Sequence, residues 1–194
     1  MRTSWEQAKV EVPAERWADL SQDDYGVSLL NRSKYGYDIK GSTMRLSLLR
    51  SPKWPDPTAD RGKHFIEYSL VPHKGRLDAG GISQAAAGYN NRLLPFTGTI
   101  HKGKLPTSYS FITLDPPSMI LSSLKKAEAS GSWIVQWYDA GGKATNAILK
   151  LPKAPSSVKY SSILEKDGEA VPFQGSVVVI PTKKNSMRTI KITY

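Results

Sequence analysis

Apolar and polar residues alternate with a period of two along much of the chain. Met44, Leu46 and Leu48 fall on one face of residues 43–50, opposite Arg45 and Ser47. His64, Ile66, Tyr68 and Leu70 share a face over residues 63–71, and Trp133, Val135 and Trp137 share one over residues 132–138. Residues 188–194 give the cleanest case, with Ile190, Ile192 and Tyr194 against Thr189, Lys191 and Thr193. Such alternation predicts half-buried strands. Further strands are expected over residues 9–12, 26–30, 34–40, 109–114, 118–125, 145–151, 158–163 and 176–180. One helix is expected over residues 82–91, around Ala85-Ala86-Ala87.

Turn chemistry separates these elements. Gly141-Gly142 and Asp167-Gly168 are each expected to join two strands. Pro52, Pro55 and Pro57 make residues 51–60 a loop. The glycines of Tyr25-Gly26 and Tyr35-Gly36-Tyr37 read as bulges or close backbone approaches. Many short strands with Gly and Pro turns predict an all-β protein of β-sandwich architecture. Gly98, Gly103 and Pro106 break the strand pattern. The division is set there, giving residues 1–101 and a small terminal sandwich over residues 102–194.

The length of 194 residues fits one large or two small domains at roughly 150 residues each. With 39% hydrophobic and 23% charged residues the chain is globular, not disordered. It has no cysteine, which excludes disulfides, thiolate zinc sites and cysteine nucleophiles and fits a reducing cytoplasm. No apolar run approaches the roughly 18 residues that span a membrane. Residues 1–7 lack the apolar core of a signal peptide. A soluble, cytoplasmic chain without a membrane partner is expected. The net charge of +10 raises nucleic acid as a partner. The basic residues are scattered, however, and pairs such as Lys125-Lys126 and Lys183-Lys184 read as solvated faces. No nucleic-acid partner is expected.

Chemistry-bearing groups are sparse. His64, His73 and His101 lack the helical i, i+4 spacing of a zinc pair, so no metal site is expected. No nucleophile elbow, phosphate loop or dinucleotide fingerprint is present. Glycosidases need two carboxylates flanking one bond. Nothing places any two of Asp23, Asp24, Asp38, Asp56, Asp60 and Asp115 at such a separation, so no catalytic residue is expected in this chain. Among Trp5, Trp17, Trp54, Trp133 and Trp137, the pair Trp133 and Trp137 share a strand face with Val135 and read as core. Trp54, between prolines in a loop, is the ring best placed to contact a sugar.

Three ordered stretches carry a family resemblance. The first is Glu15-Arg16-Trp17-Ala18-Asp19-Leu20-Ser21. The second runs from Tyr25-Gly26-Val27-Ser28-Leu29-Leu30-Asn31 through Lys34-Tyr35-Gly36-Tyr37-Asp38 and Met44-Arg45-Leu46-Ser47-Leu48-Leu49-Arg50-Ser51-Pro52. It continues to Pro55-Asp56 and Asp60-Arg61-Gly62. The third is Tyr68 followed by Val71-Pro72-His73, with a weaker match at Asp115-Pro116-Pro117 and Leu124-Lys125-Lys126-Ala127-Glu128. In order and spacing they resemble the C-terminal β region of family 38 glycoside hydrolases, the α-mannosidases.

The resemblance implies part of a retaining enzyme acting on α-linked mannose. Residues 1–101 would end a large galactose-mutarotase-like sandwich, and the remainder would be the family's terminal β domain. The family's zinc ion and aspartate nucleophile belong to a separate N-terminal α/β barrel. That barrel is therefore the expected partner, no cofactor is expected in this chain, and the chain alone should not hydrolyse mannosides. Family members set an arginine from this region against the sugar, and Arg50 matches that position. Leu49 and Ser51 stand where Golgi-type members carry an acidic residue and a second arginine. Asp60 and Arg61 match a loop shaping the same edge. With Trp54 these form the expected substrate contacts. Two rival readings are a stand-alone carbohydrate-binding module and a basic nucleic-acid-binding domain. A part of a larger enzyme should also expose apolar surface that normally meets the barrel.

Overall fold

A computed structural model describes residues 11–194, so the expected strand at residues 9–12 lies partly outside the described residues. The chain divides into two compact units, one of residues up to Asp78 with Ile82–Leu93, the other of Ala79–Gly81 with Leu94–Tyr194. Composition sets the division later, at 101/102.

In the first unit the elements are β1 (Val12–Pro13), β2 (Trp17–Ser21), β3 (Tyr25–Asn31), β4 (Gly36–Lys40), β5 (Thr43–Leu46), β6 (Tyr68–Lys74) and the helix α1 (Ala79–Asn90). They form two antiparallel three-stranded sheets, ordered β1-β4-β5 and β2-β3-β6. Successive strand residues point to opposite faces, so Leu29 and Leu30 of β3 serve two cores. Leu29 packs with Ala18 and Tyr37. Leu30 packs with Ile82 and Ala86 of α1, with Trp17, Val71 and Tyr89 alongside. Asn90 donates from Nδ2 to the Asn31 carbonyl at 3.1 Å. The Arg32 guanidinium lies over the Tyr89 ring at 4.5 Å and donates from Nε to its carbonyl at 2.9 Å. A cation there satisfies a helix-end carbonyl and complements the helix dipole.

The second unit holds β7 (Thr113–Asp115), β8 (Met119–Lys126), β9 (Trp133–Asp139), β10 (Thr145–Lys150) and β11 (Ser157–Ser161). It is completed by β12 (Asp167–Ala170), β13 (Phe173–Gln174), β14 (Val177–Thr182) and β15 (Met187–Thr193). A four-stranded sheet, β13-β14-β10-β7, and a five-stranded sheet, β12-β11-β15-β9-β8, form a sandwich. Its core holds Val135 and Trp137 of β9, Leu149 of β10, Val178 and Ile180 of β14 and Ile190 and Ile192 of β15. Alternate residues of each strand meet between the sheets, as period-two patterning requires. Buried Asp139 closes one end of β9. Its Oδ1 accepts the Gly141 amide at 3.0 Å and its Oδ2 accepts the Asn185 amide at 2.9 Å.

Several strand readings shift. Residues 63–67 are not strand, so His64 lies in a loop. In β6 the inward positions are Ser69, Val71 and His73, and Tyr68 and Leu70 are exposed. This is the reverse of the expected face, because Val71 and His73 face the packed side of β3. The strand at residues 43–50 stops at Leu46, ahead of the proline-rich loop. Strand β2 is additional to the expected set. Gly141-Gly142 joins β9 to β10, which lie in different sheets. Asp167-Gly168 lies inside β12 instead of in a turn. The turn precedes it, where the Ser162 amide donates to the Lys166 carbonyl at 3.0 Å and Glu165 takes φ 59°.

Candidate functional site

The first unit presents an open groove of about 770 Å³ beside the β4–β5 hairpin. Its walls come from Glu11 to Pro13, from Ser33 to Gly36, and from Ser47 to Arg50 with Asp60. Asn31 holds one wall from behind. It is fully buried, accepts the Lys34 amide on Oδ1 at 3.1 Å and donates from Nδ2 to the Tyr37 hydroxyl. Burial pushes the Tyr37 hydroxyl pKa up, opposed by the Asn31 contact. The 31–37 connection is thereby fixed, and Tyr35, half exposed, is offered to the groove. Gly36 sits in a close approach, where a Cβ would stand 3.1 Å from the Ser47 Cβ and closer still to the flexible end of Glu11.

The opposite wall begins where β5 ends. The Ser47 amide donates to the Gly36 carbonyl at 2.8 Å, extending the pairing briefly. The chain then departs through Leu48, Leu49 and Arg50. Asp60 returns beside it and accepts the Ser51 amide on Oδ2 at 2.7 Å. His64 Nε2 lies 2.9 Å from the Asp60 carbonyl. Arg50 is exposed and, among the described residues, makes no salt bridge. Its neighbour Arg45 differs, pairing with Asp38 across the hairpin. An arginine with an unused fork, an exposed tyrosine ring and a carboxylate form a polar surface of the kind that holds hydroxyl-rich ligands.

Of the four expected contact residues, Arg50 and Asp60 share this groove, and Trp54 and Arg61 do not line it. Trp54 is 84% exposed in the proline loop. The Arg61 amide donates to the Thr58 carbonyl at 3.0 Å, as part of a turn. Tyr35 was not singled out by sequence reasoning. The signal was its place before Gly36, which lets the backbone pass close while the ring stays outside.

The remaining carboxylates have structural work. Asp23 pairs with Arg76. Asp56 accepts the Thr58 hydroxyl at 2.7 Å and its amide at 2.8 Å, and these bonds hold its pKa below the usual value. Asp19 accepts Ser28 Oγ at 2.5 Å and lies 2.7 Å from His73 Nε2. Burial pushes the Asp19 pKa up, but hydrogen bonds from Ser28, His73 and Ser21 outweigh it and hold the carboxyl below its ordinary value. The serine and the histidine both bind the aspartate here, unlike a hydrolase triad, where the histidine lies between. Among the described residues no group of three or more His, Asp or Glu could hold a metal ion. Nor is any described helix long and apolar enough to cross a membrane.

The second unit has its own groove, of about 850 Å³, lined by Phe111, Leu124, Trp133, Lys153 and Tyr194 among others. Trp133 opens β9 and is 43% exposed, whereas Trp137 on the same face is fully buried. The core reading of the pair thus holds for Trp137 alone.

Comparison with known proteins places both units in one family. Residues 1–58 match the model of the glycosyl hydrolases family 38 C-terminal domain. Residues 118–193 match that of the family 38 C-terminal beta sandwich domain. Human alpha-mannosidase 2C1 is 39% identical over 171 residues, covering 87% of this chain. The alpha-mannosidase of Saccharomyces cerevisiae is 51% identical over 83 residues, or 43% of this chain and 8% of its own length. The crystal structure of an alpha-mannosidase from Enterococcus faecalis V583 superposes with a TM-score of 0.77 at 18% identity, over 100% of this chain and 22% of that one. The chain spans only 16% of the length of the human relative. It belongs to glycoside hydrolase family 38, as the all-β C-terminal region of that family's α-mannosidases.

Proposed function

We propose that this chain is the C-terminal support of an α-mannosidase, bracing the catalytic barrel and lending Arg50 to the site that receives α-linked mannose. The observation that carries this reading is Arg50 itself: exposed, without a salt bridge among the described residues, and facing a groove shared with Asp60 and Tyr35. An unpaired guanidinium offers five fixed donors to sugar hydroxyls. Asp60 acts on its position through Ser51. The residues that break the glycosidic bond, and the zinc beside them, would belong to the barrel. A cytoplasmic site of action accords with the lack of cysteine.

The direct test is hydrolysis of an aryl α-mannoside by the enzyme with its barrel, compared with the same enzyme lacking this region. This chain alone is assayed with and without zinc. Loss of turnover on removing the region, with no turnover by the chain alone, supports the reading. Full activity of the barrel without the region overturns it.

A second reading has one observation in its favour. Trp133 and Tyr194 line the groove of the second unit, and flat rings suit the apolar face of a pyranose. A carbohydrate-binding role for that unit predicts glycan-array binding by this chain with no barrel present.

A further inference from the structure

Residues 91–112 form neither helix nor strand, yet part of the segment is patterned as a strand. Leu94, Phe96 and Ile100 stand at alternate positions, with Gly98 continuing the series and Pro95, Thr97 and Thr99 between them. That is the period of a strand with one apolar face. The apolar face is bare: Leu94 is 77% exposed, Phe96 90% and Ile100 106%. Among the described residues, 94–101 make no backbone–backbone hydrogen bond. A strand needs both a neighbour for its amides and carbonyls and a surface for its apolar side. Here the sequence prepares for both and neither is supplied. Scattered exposed apolar residues are ordinary, but large ones in ordered succession mark an interaction surface.

Two observations bear on the occupant. The chain accounts for 16% of the length of its human relative, so most of an enzyme of that size lies elsewhere to provide the surface. Arg92, Lys102 and Lys104 flank the segment, and the chain carries +10 overall, so a second copy would meet it with like charge. We propose that residues 94–101 are a docking strap that becomes a strand against the part of the α-mannosidase carrying the catalytic barrel. Phe96 and Ile100 are buried in that contact, and Thr97 and Thr99 face outward. This rests on reading the chain as the C-terminal support of such an enzyme.

Hydrogen exchange on the enzyme with its barrel present is the test. Amides within 94–101 should exchange about 100-fold more slowly than an unstructured chain. Phe96→Asp and Ile100→Asp should each restore at least about tenfold of that rate, and Thr97→Asp and Thr99→Asp should stay within about threefold of the parent. Exchange at the unstructured rate in the parent enzyme overturns the proposal. Equal effects of all four substitutions overturn it too, since they would show no apolar face. Protection that disappears on dilution identifies a second copy as the occupant and also overturns it. The support reading is judged separately by the activity lost on removing the whole region, which does not depend on exchange within 94–101.

Discussion

The carboxylate of Asp60 accepts the backbone amide of Ser51 at 2.7 Å. Ser51 has φ 51°, in the left-handed region that non-glycine residues occupy only when their surroundings hold them there. Asp60 supplies that hold one residue beyond Arg50, so the loop is tied at the point where the guanidinium enters the groove.

Substitution separates these roles. In the enzyme with its barrel, Arg50→Ala should lower kcat/KM for an α-mannoside by about 10- to 100-fold, with an unchanged melting temperature. Asp60→Ala should act in the same direction but more weakly, because it frees the loop without removing the donor. Asp60→Asn keeps an acceptor for the Ser51 amide and should remain near the parent. Steady-state kinetics with thermal melts read all three.

Acid sensitivity of the first unit should trace to Asp19. Its folded pKa lies below its ordinary value, whereas the unfolded chain titrates near about 3.9. Between those two values the unfolded state binds more protons, so stability rises with pH there. The contribution is complete above the unfolded value and is lost as pH falls through the folded one. Replacing Ser28 by Ala and His73 by Phe removes hydrogen bonds that hold the pKa down, so loss should begin at higher pH. Asp19→Asn should flatten that limb. Tryptophan fluorescence during acid titration follows each.

Two glycines in the first unit should respond differently to alanine. At Gly26 a Cβ would stand 2.5 Å from the Ser21 Cβ and 2.4 Å from the His73 ring. Both neighbours lie on strands paired to β3, and His73 is bound to Asp19. Gly26→Ala should cost about 1–3 kcal/mol or more by overpacking. At Gly36 the severe clash is with the flexible end of Glu11, which can swing aside, so Gly36→Ala should cost less. Urea unfolding of the first unit measures both.

In the second unit, Trp137 Nε1 donates to Thr182 Oγ1 at 3.2 Å, joining β9 to β14 across the sandwich. Trp137→Phe removes that bond and leaves space in the core. A loss of roughly 2–4 kcal/mol is expected in the unfolding of this unit. The adjacent exposed ring gives the contrast, because Trp133→Phe should shift stability by less than about 1 kcal/mol.

Alternation showed the second unit well because its strands pack on one face. Ile190, Ile192, Val135 and Trp137 all point where the pattern puts them. It failed at β6, where the apolar residues Tyr68 and Leu70 turn outward while Ser69 and His73 face inward. A partly buried polar pair, His73 with Asp19, replaced the apolar contact that alternation assumes. Strand β2 was missed for a similar reason, since its Asp19 is buried by hydrogen bonding and not by hydrophobicity. The groove depends on side-chain contacts that close loops, such as Asp60 with the Ser51 amide and Asn31 with Tyr37. Spacing alone carries no record of them, so the family resemblance was needed to single out Arg50.

The bare run from Leu93 to Ile100 has a further consequence for the chain in solution. It is uncharged, strand-patterned and rich in large apolar side chains, traits it shares with the proline-free segments from which cross-β fibrils nucleate. Pro95 interrupts it, and Arg92 and Lys102 bracket it, which are the residue types that act as gatekeepers against such stacking. This segment and its flanks thus carry both a readiness to be covered and a guard against being covered by copies of themselves.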